Sequence, residues 1–186
     1  MRVSQAEKER SRERILDGAA RMIRERGVEG ASVADIMNGA GLTHGGFYRH
    51  FKTKDDLVAA ALDQAFGELL ATLDCGETGA PTDAAVQAFV ARYLSEGHVA
   101  HPGFGCPIPT LAGEIGRAPD PVRRRFADGV RRLVDTLGKG FRGSAAQRRA
   151  RACRQVAMMA GAVMIARAGD AALADEVLAA CRSPAA

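Results

Sequence analysis

Apolar residues recur at helical spacing along most of the chain, and between residues 32 and 54 they mark two short helices joined by a tight turn. Val33, Ile36 and Met37 lie at positions i, i+3 and i+4, which is the spacing of one buried helical face. Phe47 and Phe51 are four residues apart on the second helix, so we expect both rings to point into a core. The pattern predicts a compact helical hairpin here.

Capping and turn residues mark the ends of these helices. Ser32 and Thr43 are predicted N-caps, because a hydroxyl at that position accepts a hydrogen bond from the first turn. Gly39 and Gly41 follow the first helix, where glycine allows positive φ and lets the chain reverse. A helix-turn-helix unit, whose second helix enters the DNA major groove, has this spacing. An ordinary helical hairpin has it too, so spacing alone leaves both alternatives open.

Further helical patterns lie on both sides of the hairpin. One runs from about Lys8 to Arg26, and another begins at Thr53 and carries a broad apolar face to Leu73. The remaining predicted helices cover about residues 83–96, 110–116, 119–141, 145–168 and 170–182. The Gly- and Pro-rich segment 97–109 is predicted to be irregular. Because β-branched runs are few and turn signals lie far apart, the predicted fold class is all-α.

The run from Gly41 to Asp55, GLTHGGFYRHFKTKD, resembles the signature of the tetracycline-repressor (TetR/AcrR) family of bacterial regulators. The likeness extends over about residues 10–66, and it favours the DNA-reading alternative. It implies an N-terminal three-helix helix-turn-helix DNA-binding domain over residues 8–66. It also implies a C-terminal helical domain for effector binding and dimerisation over residues 67–186.

The resemblance further implies which residues contact DNA. They combine hydroxyl, imidazole, cationic and small groups, which suit phosphate oxygens and base edges. The set is Ser32, Thr43, His44, Gly45, Gly46, Tyr48, Arg49, His50 and Lys54. Those assigned to phosphates are Thr43, Tyr48, His50 and Lys54. His44 and Gly45 are assigned to base edges, and packing of Tyr48 and His50 in the core is the alternative.

Charge is distributed unevenly along the chain, whose net charge is +4. Residues 1–60 carry 11 Lys/Arg and 9 Asp/Glu, whereas residues 117–167 carry 13 and 3. The basic excess therefore lies away from the helix-turn-helix, and total charge alone does not indicate a nucleic-acid partner. The arginines at 123–125, 131 and 132 are interpreted as a solvated helix face.

Four widely spaced cysteines imply no disulfide framework. Cys106 precedes Pro107 at a predicted helix start, where the helix dipole would lower the pKa of the thiol. A thiol with a lowered pKa could act as a sensor. The favoured alternative is a buried, inert thiol. With His98 and His101, Cys106 also suggests a metal or catalytic site. The H-x-x-H-x4-C spacing matches no strong zinc pattern, and no catalytic set is recognisable. No metal, cofactor or enzymatic activity is therefore predicted.

An adaptable apolar effector pocket is predicted in the C-terminal half, with simple core filling as an equal alternative. The candidate lining combines aromatic, sulfur-containing and aliphatic side chains. It comprises Phe89, Tyr93, Phe104, Cys106, Leu111, Met158 and Met159.

The predicted location is the cytoplasm, without a membrane partner. The N-terminus has no apolar signal segment, and the longest apolar run, residues 156–166, is too short to span a bilayer. The two long helices over 119–141 and 145–168 suggest pairing with their copies in a four-helix bundle, and the resemblance implies such a homodimer. Packing inside one chain is the alternative.

The functional hypothesis is a ligand-responsive transcriptional regulator without enzymatic activity. It is expected to be a repressor that a small-molecule effector releases from a palindromic DNA operator. One alternative is a redox or electrophile sensor that uses Cys106. The other is an enzyme or carrier that does not bind DNA.

Overall fold

The structure, a computed structural model, describes residues 4–77 and 79–182, and the regular secondary structure in these ranges is entirely helical. The α-helices are α1 (Gln5–Gly30), α2 (Val33–Gly39), α3 (Lys54–Ala71), α4 (Asp83–Tyr93), α5 (Glu96–Ala100), α6 (Pro107–Ile115), α7 (Asp120–Lys139), α8 (Ala145–Ala168) and α9 (Ala171–Arg182). Two 3-10 helices, His44–Arg49 and Pro102–Phe104, complete the list. The all-α prediction is confirmed. The last four residues of the predicted second domain, 183–186, lie outside the described residues.

Side-chain caps begin several of these helices. The Ser32 hydroxyl accepts a hydrogen bond from the Asp35 backbone N–H at 3.0 Å. Thr53 and Asp56 form a reciprocal capping box at the start of α3, with both N···O distances 3.1 Å. Each such cap contributes about 1 kcal/mol to helix stability. The sequence therefore encodes these boundaries locally.

The prediction that residues 97–109 are irregular is wrong. This segment contains most of α5, the 3-10 helix Pro102–Phe104 and the first turn of α6. Ser95 caps α5 by accepting from the His98 backbone N–H at 3.2 Å. Pro107 begins α6 because the first helical position needs no backbone N–H donor. Gly and Pro residues therefore separate consecutive short helices in this segment. They were expected to prevent helix formation there.

The described residues bury two hydrophobic cores, and α3 runs through both. The N-terminal core contains Ile15, Phe47 and Leu57 with the faces of α1 to α3 that surround them. The second core begins with Phe66 on α3 and continues through α4, α7, α8 and α9. Leu111, from α6, is fully buried in the N-terminal core. The two halves are therefore packed together through α3 and α6.

No helix within the described ranges combines the length and the apolar character that crossing a bilayer requires.

α3 and α7 approach each other closely at Gly129. A Cβ atom at this position would lie 2.1 Å from the Phe66 ring, which is fully buried and has no space to retreat. The Phe66 ring also packs edge-on against Phe126 of α7, with ring centroids 5.8 Å apart. The missing side chain at Gly129 is therefore what allows the two helices to lock together.

We expect Gly129→Ala to lower the free energy of unfolding by about 1–3 kcal/mol, because the added methyl group overpacks the contact with Phe66. Gly67→Ala, on the adjoining helix α3, is the matched control. A Cβ there meets no atom within 4 Å, so this change should stabilise the protein by about 0.5–1 kcal/mol through helix propensity. Urea unfolding followed by circular dichroism measures both, and equal effects of the two changes would contradict the close approach.

Candidate DNA-binding surface and effector cavity

The second helix of the predicted helix-turn-helix is a 3-10 helix, His44–Arg49, which we call the recognition segment. The helix that was expected from Thr43 to Phe51 is therefore shorter than predicted and is of the 3-10 type. Two adjacent glycines, Gly45 and Gly46, lower the α-helix propensity of this segment. Thr43 occupies the N-cap position, but its side chain makes no capping hydrogen bond. Its hydroxyl is exposed beside the segment.

Phe47 and Phe51 anchor the recognition segment to the N-terminal core. They are 2% and 5% exposed, and their rings stack with centroids 5.8 Å apart. Arg12 of α1 holds the segment's far end, because its guanidinium donates to the His50 carbonyl at 3.1 Å and lies 4.5 Å from the centroid of the Phe51 ring. Sequence patterns missed Arg12, since a contact across 38 residues leaves no local signal.

The outward face of the recognition segment is open. Tyr48 is 70% exposed, which rules out the alternative that it is a core residue, and His44 and Arg49 are exposed beside it. A Cβ at Gly45 would meet no atom within 4 Å. The face therefore presents a phenol, an imidazole and a guanidinium around bare backbone, a combination that suits phosphates and base edges.

His50 is half-buried, as are Gly46 and Lys54 among the predicted contact residues. Its Nδ1 is buried and has no hydrogen-bond partner among the described residues. Burial lowers the pKa of His50, and the neighbouring charges of Lys8, Arg12 and Arg49 lower it further. Both effects favour the neutral imidazole. The half-buried position of His50 is compatible with either predicted role, phosphate contact or packing in the core. Of the remaining predicted residues, Gly46 lies within the recognition segment, Ser32 is the N-cap of α2 and Lys54 is the first residue of α3.

A cavity of about 540 Å³ opens between the end of α3, α4 and the segment that follows α4. Its walls combine aromatic rings with a few polar groups. The lining residues are Leu69, Thr72, Phe89, Arg92, Tyr93, Ser95, Gly97, His98, His101, Phe104 and Gly105. Both the size and the mostly apolar walls are typical of small-molecule sites.

Only part of the predicted pocket lining is found at this cavity. Phe89, Tyr93 and Phe104 line it as proposed. Four other candidates do not line it. Cys106, Leu111 and Met159 are buried in the cores, and Met158 is partly buried against the second core. The polar lining residues were not predicted from the sequence. The apolar spacing of α4 places Phe89 and Tyr93 on one face, and Arg92 is the residue before Tyr93, so this spacing was the available signal for Arg92.

Cys106 lies directly behind the cavity wall. Its side chain is completely buried, and burial raises the pKa of the thiol to about 11. Pro107 and Pro109 supply no N–H donors, and the Ile108 backbone N–H alone reaches the Cys106 Sγ from this turn, at 3.4 Å. The less favoured alternative, in which the helix start lowers the pKa of this thiol, is wrong, and the favoured alternative of a buried thiol is confirmed.

His98 is fixed beside Cys106 in one neutral form. Its Nε2 accepts the Cys106 backbone N–H at 2.9 Å, so Nδ1 carries the proton and donates to the Tyr93 carbonyl at 2.6 Å. Burial lowers the pKa of His98. Among the described residues no three side chains are grouped as a metal site, and His98 already uses both of its nitrogens.

A buried guanidinium connects the cavity wall to α1. Arg24 is 2% exposed and donates to the carbonyls of Ala20 at 2.8 Å and of Gly105 at 3.2 Å. It also forms a 2.6 Å ion pair with Glu68 of α3. We call Arg24, Glu68 and Gly105 the bridge. Arg24 follows Ala20 by one turn on the buried face of α1. A charged residue at such a position is a sequence signal for a buried ion pair, and it was not used to predict this one.

The geometry defines a class of protein: a helix-turn-helix head with an open recognition face, packed against a helical body that contains a ligand-sized cavity. Residues 15–61 match the family model described as "Bacterial regulatory proteins, tetR family". An uncharacterised HTH-type transcriptional regulator of Mycobacterium tuberculosis is 30% identical over 125 residues, covering 66% of this chain and 61% of the relative. The chain therefore matches less than two thirds of that relative's length.

Two further comparisons agree. The HTH-type transcriptional regulator AcrR of Shigella flexneri is 41% identical over 58 residues, covering 31% of this chain and 27% of AcrR. A TetR-family regulator from Agrobacterium tumefaciens has a similar crystal structure, with a TM-score of 0.73 and 26% identity over 94% of this chain and 96% of that one. The chain belongs to the TetR family of helix-turn-helix transcriptional regulators. That family is not enzymatic, so we set aside the enzyme alternative.

We expect the Cys106 thiol to resist N-ethylmaleimide in the native protein at pH 7.5, because fewer than roughly one thiol in a thousand is ionised there and the sulfur is buried. The same cysteine should be labelled fully in urea, which serves as the control. Peptide mass spectrometry reads both. Complete native labelling of Cys106 within minutes would instead support the thiol-sensor alternative.

Proposed function

We propose that the chain is an effector-responsive repressor that acts as a homodimer on a palindromic DNA operator in the cytoplasm. Residues 8–66 would form the DNA-binding domain and residues 67–186 the effector-binding and dimerisation domain. The observation that carries this proposal is the recognition segment, which buries Phe47 and Phe51 while leaving Tyr48 and Arg49 exposed. Each subunit of a dimer would place one such segment in successive major grooves, about 34 Å apart.

An exposed apolar surface supports the dimer, and it lies on α8 and α9, so that α9 takes the place of the helix over 119–141 that the sequence pattern paired with α8. Met164, Ile165 and Leu173 are 44%, 47% and 41% exposed, and they lie where α8 ends and α9 begins. Gly161, one turn earlier, leaves open space in which another helix can approach. A self-complementary patch of this kind suits a two-fold interface between copies of the chain.

The bridge supports a response to an effector. Gly105 belongs to the cavity wall and accepts from Arg24, which lies on the helix that packs over the recognition segment. An effector that moves Gly105 would therefore change the partners of a buried charge. Such a ligand shifts the equilibrium only by its difference in affinity for the two conformations.

The first test is selection of DNA sequences by purified protein at fixed salt near 0.15 M. We expect an enriched palindrome, and we expect Tyr48→Ala to weaken its binding at least about tenfold, or ~1.4 kcal/mol, because the exposed phenol contributes to DNA contact. The unfolding free energy of this variant should stay within about 0.5 kcal/mol of wild type.

Arg131→Gln is the control for Tyr48→Ala, since Arg131 is an exposed residue on α7 that lies outside both the head and the cavity wall. Its effect on operator affinity should stay below about threefold. Binding that is detected only at low salt, without an enriched sequence, would reduce the interaction to general electrostatics and reject the proposed function.

The bridge can be tested by amide hydrogen exchange with and without the selected operator. In the wild-type protein, we expect operator binding to slow exchange at residues 103–106, because the head and this segment share Arg24. Arg24→Met should abolish that slowing while lowering stability by about 1–3 kcal/mol. Operator affinity should change less than about threefold.

Arg14→Met is the control for this experiment, because Arg14 is an exposed arginine on the same helix. It should leave the operator-dependent slowing intact. If Arg24→Met retains the same slowing as the wild type, the bridge does not connect the head to the cavity.

A further inference from the structure

The cavity has an uneven charge distribution. Arg92 is the only Lys or Arg in the sequence between residues 61 and 116, a stretch that contains seven Asp or Glu residues. This single cation lines the cavity, whereas none of the lining residues is an Asp or a Glu. Glu96, which lies between two lining residues in the chain, is exposed and is not part of the wall. The local charge at the cavity is therefore positive within an acidic stretch.

Arg92 lies at the cavity mouth with most of its donors unused. Its guanidinium donates to the Thr72 carbonyl and lies 5.7 Å from the centroid of the Phe89 ring. These contacts hold the planar group in place beside two lining residues. A guanidinium has five N–H donors, and its fork matches the two oxygens of a carboxylate.

The interior of the cavity is neutral by contrast. His98 uses one nitrogen as acceptor for Cys106 and the other as donor to the Tyr93 carbonyl, so the ring offers neither charge nor a spare hydrogen bond. The Tyr93 ring packs edge-on against it, with centroids 4.5 Å apart. A ligand would therefore meet its charged partner at the mouth and uncharged rings further in.

Three aromatic side chains contribute to the walls, and two of them, Phe89 and Tyr93, are only 2% and 3% exposed. Phe89 and Tyr93 lie side by side on α4, with ring centroids 6.0 Å apart. Phe104 contributes a third ring that is 72% exposed, and the guanidinium of Arg21 lies 5.2 Å from its centroid. A volume of about 540 Å³ accommodates a compound of two or three fused rings. Aromatic rings prefer edge-on or offset arrangements with one another, and such pairs stabilise beyond the apolar area that they bury.

We propose that the cavity binds an aromatic carboxylic acid, with its rings among Phe89, Tyr93 and Phe104 and its carboxylate paired with Arg92. This inference rests on the proposed function, in which the cavity is the effector site. A cationic ligand is disfavoured because its charge would face Arg92. An aliphatic acid satisfies the guanidinium but gains less from the three rings.

The test compares four probes by isothermal titration with the purified full chain: 2-naphthoate, 2-naphthamide, 2-naphthylmethylammonium and decanoate. The first three share one ring system and differ in charge, and decanoate keeps the carboxylate without a ring. We expect 2-naphthoate to bind at least about tenfold more tightly than the amide, and the ammonium compound to bind most weakly. Decanoate should bind more weakly than 2-naphthoate.

Two substitutions locate the binding. Arg92→Gln should make 2-naphthoate and 2-naphthamide bind equally, whereas Arg92→Lys should retain part of the preference. Arg131→Gln is the control, because Arg131 is an exposed arginine on α7 that does not line the cavity. Phe104→Ala should weaken both naphthalene probes by a similar factor.

Equal binding of the acid and the amide by the wild type, tighter binding of decanoate, or no binding of any probe would overturn the proposed ligand class. A preference that survives in Arg92→Gln would also overturn it. Operator binding is measured on the same protein samples. Retained operator binding without the acid preference rejects only the ligand class, whereas a wild-type protein without specific operator binding rejects the proposed function.

Discussion

The buried guanidinium of Arg24 is the constraint on which the arrangement of the two halves depends. A charge with 2% exposure must find partners inside the protein, and Arg24 finds them on three elements: α1 itself, Glu68 on α3 and Gly105 in the cavity wall. Removing a partner from a buried charge costs several kcal/mol. The positions of α1, α3 and the cavity wall are therefore linked, although they are far apart in sequence.

Packing strengthens this link. Glu114 of α6 accepts the Val28 backbone N–H at 2.6 Å, where α1 is interrupted by Gly27 with a φ of 77°. Leu111 and Ile115 of the same helix are buried in the N-terminal core. The head is thus completed by side chains from the C-terminal half. Because closely packed cores shift between discrete arrangements, this packing is the route by which the proposed effector would act on the head.

The sequence predicted what depends on neighbouring residues. Helix α8 begins and ends where expected, since Ser144 and Gly169 are local start and stop signals, and the burial of Phe47 and Phe51 follows from their spacing. It did not predict features that depend on distant partners. The ion pair of Arg24 spans 44 residues. Cys106 is buried in the second core and contacts His98 of the cavity wall, so its burial depends on how α4 and α5 fold around it.

One helix carries contacts to both functional regions. Arg12 holds the His50 carbonyl at the end of the recognition segment, and Arg24 holds the Gly105 carbonyl at the cavity. Both precede the interruption at Gly27, so they lie on one uninterrupted stretch of α1, roughly 18 Å apart along its axis. A regular helix moves as a rigid body over this distance. In the proposed function, a movement at Gly105 that displaces Arg24 would also displace Arg12 and, with it, the recognition segment.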